Sequence, residues 1–130
     1  MASVFTRIIQ GEIPCYKVAE DEAHIAFLDI QPLAPGHVLV VPKVEVDYLF
    51  DLHPSDYAAL WAFVGKVAPG LKRAVPCKRI GVSVIGLEVP HVHVHLIPLN
   101  QMADINFTGT KLNPNAAELE EMRNKILLHL

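Results

Sequence analysis

Cysteine is scarce in this chain, with two in 130 residues. Cys15 and Cys77 form no Cys-x-x-Cys pair, which excludes a disulfide framework and a cysteine-based structural zinc site. Two reduced thiols fit a cytoplasmic protein. No apolar run reaches the length of about 18 residues that a membrane-crossing helix requires, so no membrane association is expected. The opening "MASVFTRIIQGEIP" lacks the long apolar stretch of a secretory signal. An excess of positive charge is also missing: the formal charge is -3 and the pI about 6.1. That argues against nucleic acid as a partner, and Lys72-Arg73 and Lys78-Arg79 read as solvated charge. No internal repeat or low-complexity linker interrupts the chain, and one domain over residues 1–130 is expected.

Apolar residues make up 52% of the sequence and the mean hydropathy is +0.31, enough to build a core. A short helical turn is expected over residues 4–10. "CYKVAE" and "HIAFLDI" read as strands joined by the acidic turn Glu20-Asp21-Glu22. "QPLAPG" is a proline-glycine loop, and "HVLVVPK" is a strand buried on both faces. In "HPSDYAALWAFVGKVAPGLKRAV", Leu60, Val64, Val67 and Leu71 make one apolar stripe of a helix that starts near Pro54 or Ser55. Pro69 and Gly70 are expected to end or kink it. "RIGVSVIGLEV" reads as a strand, with Gly81 and Gly86 at bulges or close approaches. Residues 113–130 suggest a C-terminal helix capped by Asn113 or Asn115 that buries Leu119, Met122, Ile126 and Leu127. This order implies an α+β fold: a mainly antiparallel sheet, one central helix and a C-terminal helix.

The chemistry concentrates in "HVHVHLIPL", residues 91–99. Alternate residues of a strand share a face, so His91, His93 and His95 line up opposite Val92 and Val94, spaced about 6.6 Å apart. Two of the three could hold a metal, but the outer span of about 13 Å makes tridentate ligation awkward. A line of imidazoles suits an extended anion such as a phosphate with its leaving group, because a neutral imidazole is a nucleophile and a protonated one an acid and donor. His93, with an imidazole on each side, is geometrically the preferred nucleophile. His24, His53 and His129 read as surface or capping residues.

His91 to Ile97 fits the His-φ-His-φ-His-φ-φ signature and resembles the histidine-triad (HIT) superfamily. "VFTRIIQGEIP", "AFLDIQPLAPGHVLVVPK" and "GLEVPHVHVHLIPL" resemble successive blocks of its Hint-type nucleoside phosphoramidase branch, together covering most of residues 4–99. The resemblance implies a HIT-like fold with a C-terminal helical extension over about 113–130. It also implies cleavage at an α-phosphorus: His93 attacks and becomes nucleotidylated, His95 contacts the phosphate and aids the leaving group, His91 orients the nucleophile, and His37 stands beside the phosphate. Asp29 matches the carboxylate that binds the ribose hydroxyls; Phe5, Ile8, Ile13, Phe27 and Ile30 match the base pocket. The implied substrate is a purine nucleotide or nucleoside phosphoramidate, with no metal or other cofactor required, and the implied assembly is a homodimer.

The sequence departs from that pattern just before the triad. Ile80 stands at a position that is Asn in relatives with a well-defined phosphate loop, and Leu87 at one that is Gln. Glu88 occupies a position that is Ser or Thr in some branches and Glu in others, where it orients a water or a substrate amine, or repels phosphate unless paired. Other readings are a dinucleoside polyphosphate hydrolase, against which Leu87 speaks, a nucleotide-binding protein with little turnover, and a cupin-like metal module.

Overall fold

The computed structural model describes residues 1–130. Five strands form one antiparallel sheet: β1 (Lys17–Glu20), β2 (His24–Leu28), β3 (Val38–Pro42), β4 (Arg79–Ser83) and β5 (Val94–Leu99), in the order β1-β2-β3-β5-β4. Three helices accompany it, α1 (Val4–Ile9), α2 (Pro54–Ala74) and α3 (Ala116–Leu127). The α+β reading with a central and a C-terminal helix is what the chain adopts. No helix is long and apolar enough to cross a membrane.

Strand alternation divides the apolar residues between two faces. Val38, Val40, Val92, Val94 and Leu96 join Leu60, Val64, Val67 and Leu71 of α2, and Leu119 and Ile126 of α3, in the main core. On the opposite face Ile25, Phe27, Leu39 and Val41 pack with Phe5 of α1, with Ile8 and Ile9 against them. The residues of β3 are all buried, as its continuous valine-leucine run implies.

α2 does not end at Pro69 but runs on to Ala74. The lost backbone donor is outweighed by the burial of Leu71 and Ala74 in the main core, and Gly70 gives the C-terminal end of the chain a place to pack. A Cβ on Gly70 would lie 2.6 Å from the His129 carbonyl oxygen, and the Arg73 guanidinium donates to that same oxygen at 3.1 Å. The α2 cap is His53, whose ring nitrogen accepts the Ser55 N–H at 3.2 Å, so Pro54 takes the first helical position. α3 is capped by Asn115, whose side chain accepts the Glu118 N–H at 2.8 Å while Glu118 accepts the Asn115 N–H at 3.1 Å, a capping box. Leu127 lies outside the buried stripe and is exposed. His24 is no surface residue: it is 4% exposed, its ring stacks on Phe63, and it lies 3.0 Å from an Asp21 carboxylate oxygen.

Two strands are shorter than their sequence pattern. β4 ends at Ser83 and residues 84–93 run as a loop, with Gly86 at φ 73°. β5 begins at Val94, where pairing with Val40 of β3 begins. Before that, the Val92 N–H donates to the Val46 carbonyl at 2.8 Å, and the His91 N–H to the Val89 carbonyl at 2.8 Å. The valine-histidine alternation survives without the ladder, because Val92 and Val94 still have the main core to enter.

Candidate active site

The loop from Asp29 to His37 is closed at its base by the Asp29 N–H, which donates to the His37 carbonyl at 3.0 Å. Gly36 makes the turn at φ 86°, where a Cβ would lie 2.8 Å from a Val75 methyl. The result brings an Asp29 carboxylate oxygen within 3.8 Å of His37 Nε2. The His37 ring then meets β5: His37 Nε2 and His95 Nδ1 are 2.9 Å apart.

The partners of each ring determine where its proton sits. His37 Nδ1 accepts the Leu33 N–H at 3.1 Å, so the His37 proton is on Nε2 and is donated to His95 Nδ1. His95 therefore carries its own proton on Nε2. His93 Nδ1–H donates to the His91 carbonyl at 2.7 Å, which leaves the lone pair of the neutral ring on Nε2. His91 Nε2–H donates to the Pro42 carbonyl at 2.7 Å, and His91 Nδ1 accepts the Ser3 hydroxyl at 2.7 Å. Ser3 is held in turn by Glu45, which accepts the Ser3 N–H at 2.6 Å and the Thr6 hydroxyl at 2.7 Å. Glu45 is pulled down to about 2, first by that Ser3 N–H and then by Thr6. An anchor thus runs from the α1 cap through His91 to the orientation of His93.

Burial keeps the His37 and His95 imidazoles uncharged. His37 is lowered to about 3 by desolvation, with His95 and Lys111 adding to it. His95 is lowered to about 4 by desolvation, then by His93 and Lys111. His91 is also lowered by burial, against the Pro42 carbonyl, which favours its charged form. Asp29 is raised by desolvation, a rise opposed by the Gln31 N–H it accepts at 2.9 Å and by Lys111.

These groups open onto a cavity of about 670 Å³, large enough for a small-molecule ligand. Phe5, Asp29, Ile30, His37, Glu88, His93 and His95 line it, all of them among the residues singled out from the sequence. His91 lies beneath, 0% exposed, and supports rather than lines. Phe27 and Ile8 pack behind Phe5, whose ring lies 5.8 Å from that of Phe27; neither they nor Ile13 reach the cavity wall. Leu87 is on the wall and 88% exposed, while Ile80 packs against the main core from β4, paired with Pro98. Of the two departures from the HIT pattern, only Leu87 therefore faces the cavity.

Sequence reasoning missed the opposite rim. Phe107, Thr108 and Lys111 line it, from a segment with no periodicity to announce it. The Phe107 ring stands edge-on to His95 at 4.7 Å. The Ser3–Thr6–Glu45 anchor was also missed, since nothing in the sequence ties residue 3 to residue 91. A second cavity of about 450 Å³ adjoins between the 32–37 loop and α3, sharing Asp29 and His37 with the first and adding Glu118, Glu121 and Lys125 to its wall.

One donor atom from each of Asp29, His37 and His95 falls within 4.8 Å of the others, a spacing a divalent cation can use. To take one there, His37 Nε2 must surrender the proton it donates to His95. The sequence suggests metal only along the triad line or in a cupin-like module, and neither reading names this grouping, which arises because the 29–37 loop folds over His95.

An antiparallel α+β sheet with oriented imidazoles under a ligand-sized cleft defines a domain with a histidine-lined candidate site. Residues 10–102 match the HIT domain family, and the chain belongs to that family. It is 42% identical over 120 residues to an uncharacterised 13.2 kDa HIT-like protein of Azospirillum brasilense, spanning 86% of this chain and 89% of that one. It is 37% identical over 100 residues to an adenosine 5′-monophosphoramidase of Schizosaccharomyces pombe, covering 75% and 74% of the two chains. The fold superposes on a HIT-like protein from Bartonella henselae with a TM-score of 0.87 at 32% identity, over 98% of this chain and 96% of that one.

Proposed function

We propose that this protein hydrolyses a nucleoside phosphoramidate, or a closely related purine nucleotide, at the α-phosphorus and releases a nucleoside monophosphate. The observation that carries the reading is the tautomer of His93: its proton is committed to the His91 carbonyl, so the neutral ring offers the Nε2 lone pair. The likeness to an adenosine monophosphoramidase supports the substrate class.

In the first step Nε2 of His93 bonds to phosphorus while the bond from phosphorus to the leaving nitrogen breaks. That nitrogen departs as the amine, with a proton drawn from solvent. His95 Nε2–H hydrogen-bonds a phosphoryl oxygen as charge grows there. In the second step water attacks phosphorus and gives its protons to solvent, and the electron pair of the phosphorus–nitrogen bond returns to His93. Asp29 accepts from the ribose hydroxyls, and Phe5 and Ile30 flank the base. The scheme requires no metal, and the motif-bearing core with its C-terminal helix acts as one domain in the cytoplasm.

The test is turnover of an adenosine phosphoramidate by the wild-type chain and by His93→Ala. Wild type should release AMP and form an acid-labile nucleotidyl adduct on the peptide carrying His93. The variant should lose several orders of magnitude of rate yet still bind AMP. An adduct on His91 or His95, or undiminished turnover in the variant, would refute the reading. Turnover of a dinucleoside polyphosphate in preference to the phosphoramidate would favour the other HIT branch.

The same reading implies a homodimer joined through β4 and α2. The outer edge of β4 is unpaired, and Val82 on it is 48% exposed. Near the start of α2 the rings of Tyr48, Phe50, Tyr57 and Trp61 form a largely exposed ladder, and the Trp61 indole N–H has no partner within the chain.

A further inference from the structure

The cavity is poorly provided with positive charge for an anion. Both rings accept a hydrogen bond at Nδ1, His37 from the Leu33 N–H and His95 from His37 Nε2–H, which favours the neutral form of each. Asp29 and Glu88 bring two carboxyl groups to the wall. Leu87, also on the wall, contributes no side-chain donor. A phosphoryl group seated between His93 and His95 would meet a single basic side chain, Lys111, the one lysine or arginine on the cavity wall.

Lys111 is held at the rim by contacts on both sides of it. On one side Asn106 accepts the Thr108 N–H at 3.2 Å and the Thr108 hydroxyl at 2.9 Å, and the Gly109 N–H donates to the Asn106 carbonyl at 3.1 Å. Between these the Phe107 ring rests on His95. On the other side the Leu112 N–H donates to the Pro32 carbonyl at 2.9 Å, which ties the segment to the loop that carries Asp29 and His37. The residues from 106 to 112 thus bridge the mouth of the cleft, and they lie beyond the family-matched residues 10–102. Lys111 lines the same cavity as His93 and His95.

Resting on the nucleotide reading above, we infer that Lys111 is the phosphate-binding cation of this site, recruited from the segment that follows the family domain. Its place on the wall beside His95 lets it meet the non-bridging oxygens of a nucleoside 5′-phosphate, a role in which an ammonium acts as a point charge. The selectivity of the site for a phosphorylated nucleoside over the bare nucleoside rests on it, while the ribose and base contacts do not.

Calorimetric titration of the full chain with AMP and with adenosine tests this in wild type, Lys111→Gln and Lys111→Arg. Lys111 is exposed, so these variants fold as wild type does. The Gln variant should bind AMP roughly tenfold more weakly, with adenosine unchanged, and the Arg variant should recover most of the loss. Raising the salt concentration should weaken AMP binding in wild type more than in the Gln variant. AMP affinity within twofold of wild type in Lys111→Gln would overturn the inference, as would an equal loss for adenosine, which would mark a residue that only shapes the rim. Failure of the nucleotide reading is seen separately: wild type then binds no AMP and turns over no phosphoramidate, and the inference falls with it.

Discussion

Asp29 shows how one residue's surroundings set its chemistry. Its carboxylate is largely desolvated, accepts one backbone N–H and stands 3.8 Å from an uncharged His37, so it keeps lone pairs that a vicinal diol would satisfy. AMP should therefore bind more tightly than 2′-deoxy-AMP, by roughly 1.5–3 kcal/mol for one lost hydrogen bond to a charged acceptor. Competition binding with the two nucleotides measures this, and Asp29→Asn should abolish most of the difference. Equal affinities would remove Asp29 from the ribose site. The position of Asp29 was legible because "LDIQPLAPGH" pairs a strand end with a proline-glycine loop. Its distance from His95 was not, because that depends on how the loop closes over a strand some sixty residues later.

At the scale of elements, α2 carries two glycines five residues apart with opposite demands. Gly65 is exposed and a Cβ there meets nothing within 4 Å. Gly70 is buried, and a Cβ there would sit 2.3 Å from Leu130 and 2.6 Å from the His129 carbonyl. Gly65→Ala should stabilise the protein by about 0.5–1 kcal/mol through helix propensity. Gly70→Ala should destabilise it by about 1–3 kcal/mol through overpacking. Urea midpoints of the two variants give the comparison, and matching signs would contradict this packing of the C-terminal residues. The apolar stripe of α2 could be read from its period. The continuation through Pro69 could not, because a local breaker was overridden by burial of residues whose partners lie at the far end of the chain.

At the scale of the molecule, two of the histidines couple the site to stability. His37 and His95 are held at about 3 and about 4 in the fold, against 6.5 for an unburied imidazole. The unfolded chain thus binds more protons than the folded one below about pH 6.5. The stability these residues permit is complete above that pH and is lost as pH falls toward 4. At pH 5 the loss is roughly 2 kcal/mol for each. Denaturation at pH 7.5 and 5.0 should show it, and His37→Gln should remove about half of the difference; an unchanged wild-type midpoint would mean that these rings are not buried as neutral groups. Assembly is tested at the same scale. Light scattering at micromolar concentration should give twice the chain mass, and a charge placed on the β4 edge by Val82→Lys should lower it. A stable monomer in wild type would refute the dimer.

The sequence by itself determined the fold class, the face on which the triad lies and the family, because alternation and motif spacing are properties of neighbouring residues. The strength of the valine-histidine alternation is such that it holds even where the β5 ladder has not begun. Tertiary structure decided which nitrogen of each ring bears the proton: the partners are Pro42 and Ser3, both distant in sequence from His91, and Leu33 and the His91 carbonyl, close in sequence to His37 and His93 but placed by the fold. It also decided that Phe107 and Lys111 close the cleft. Periodicity marks residues that face a core, and a rim segment that faces a cavity obeys no period.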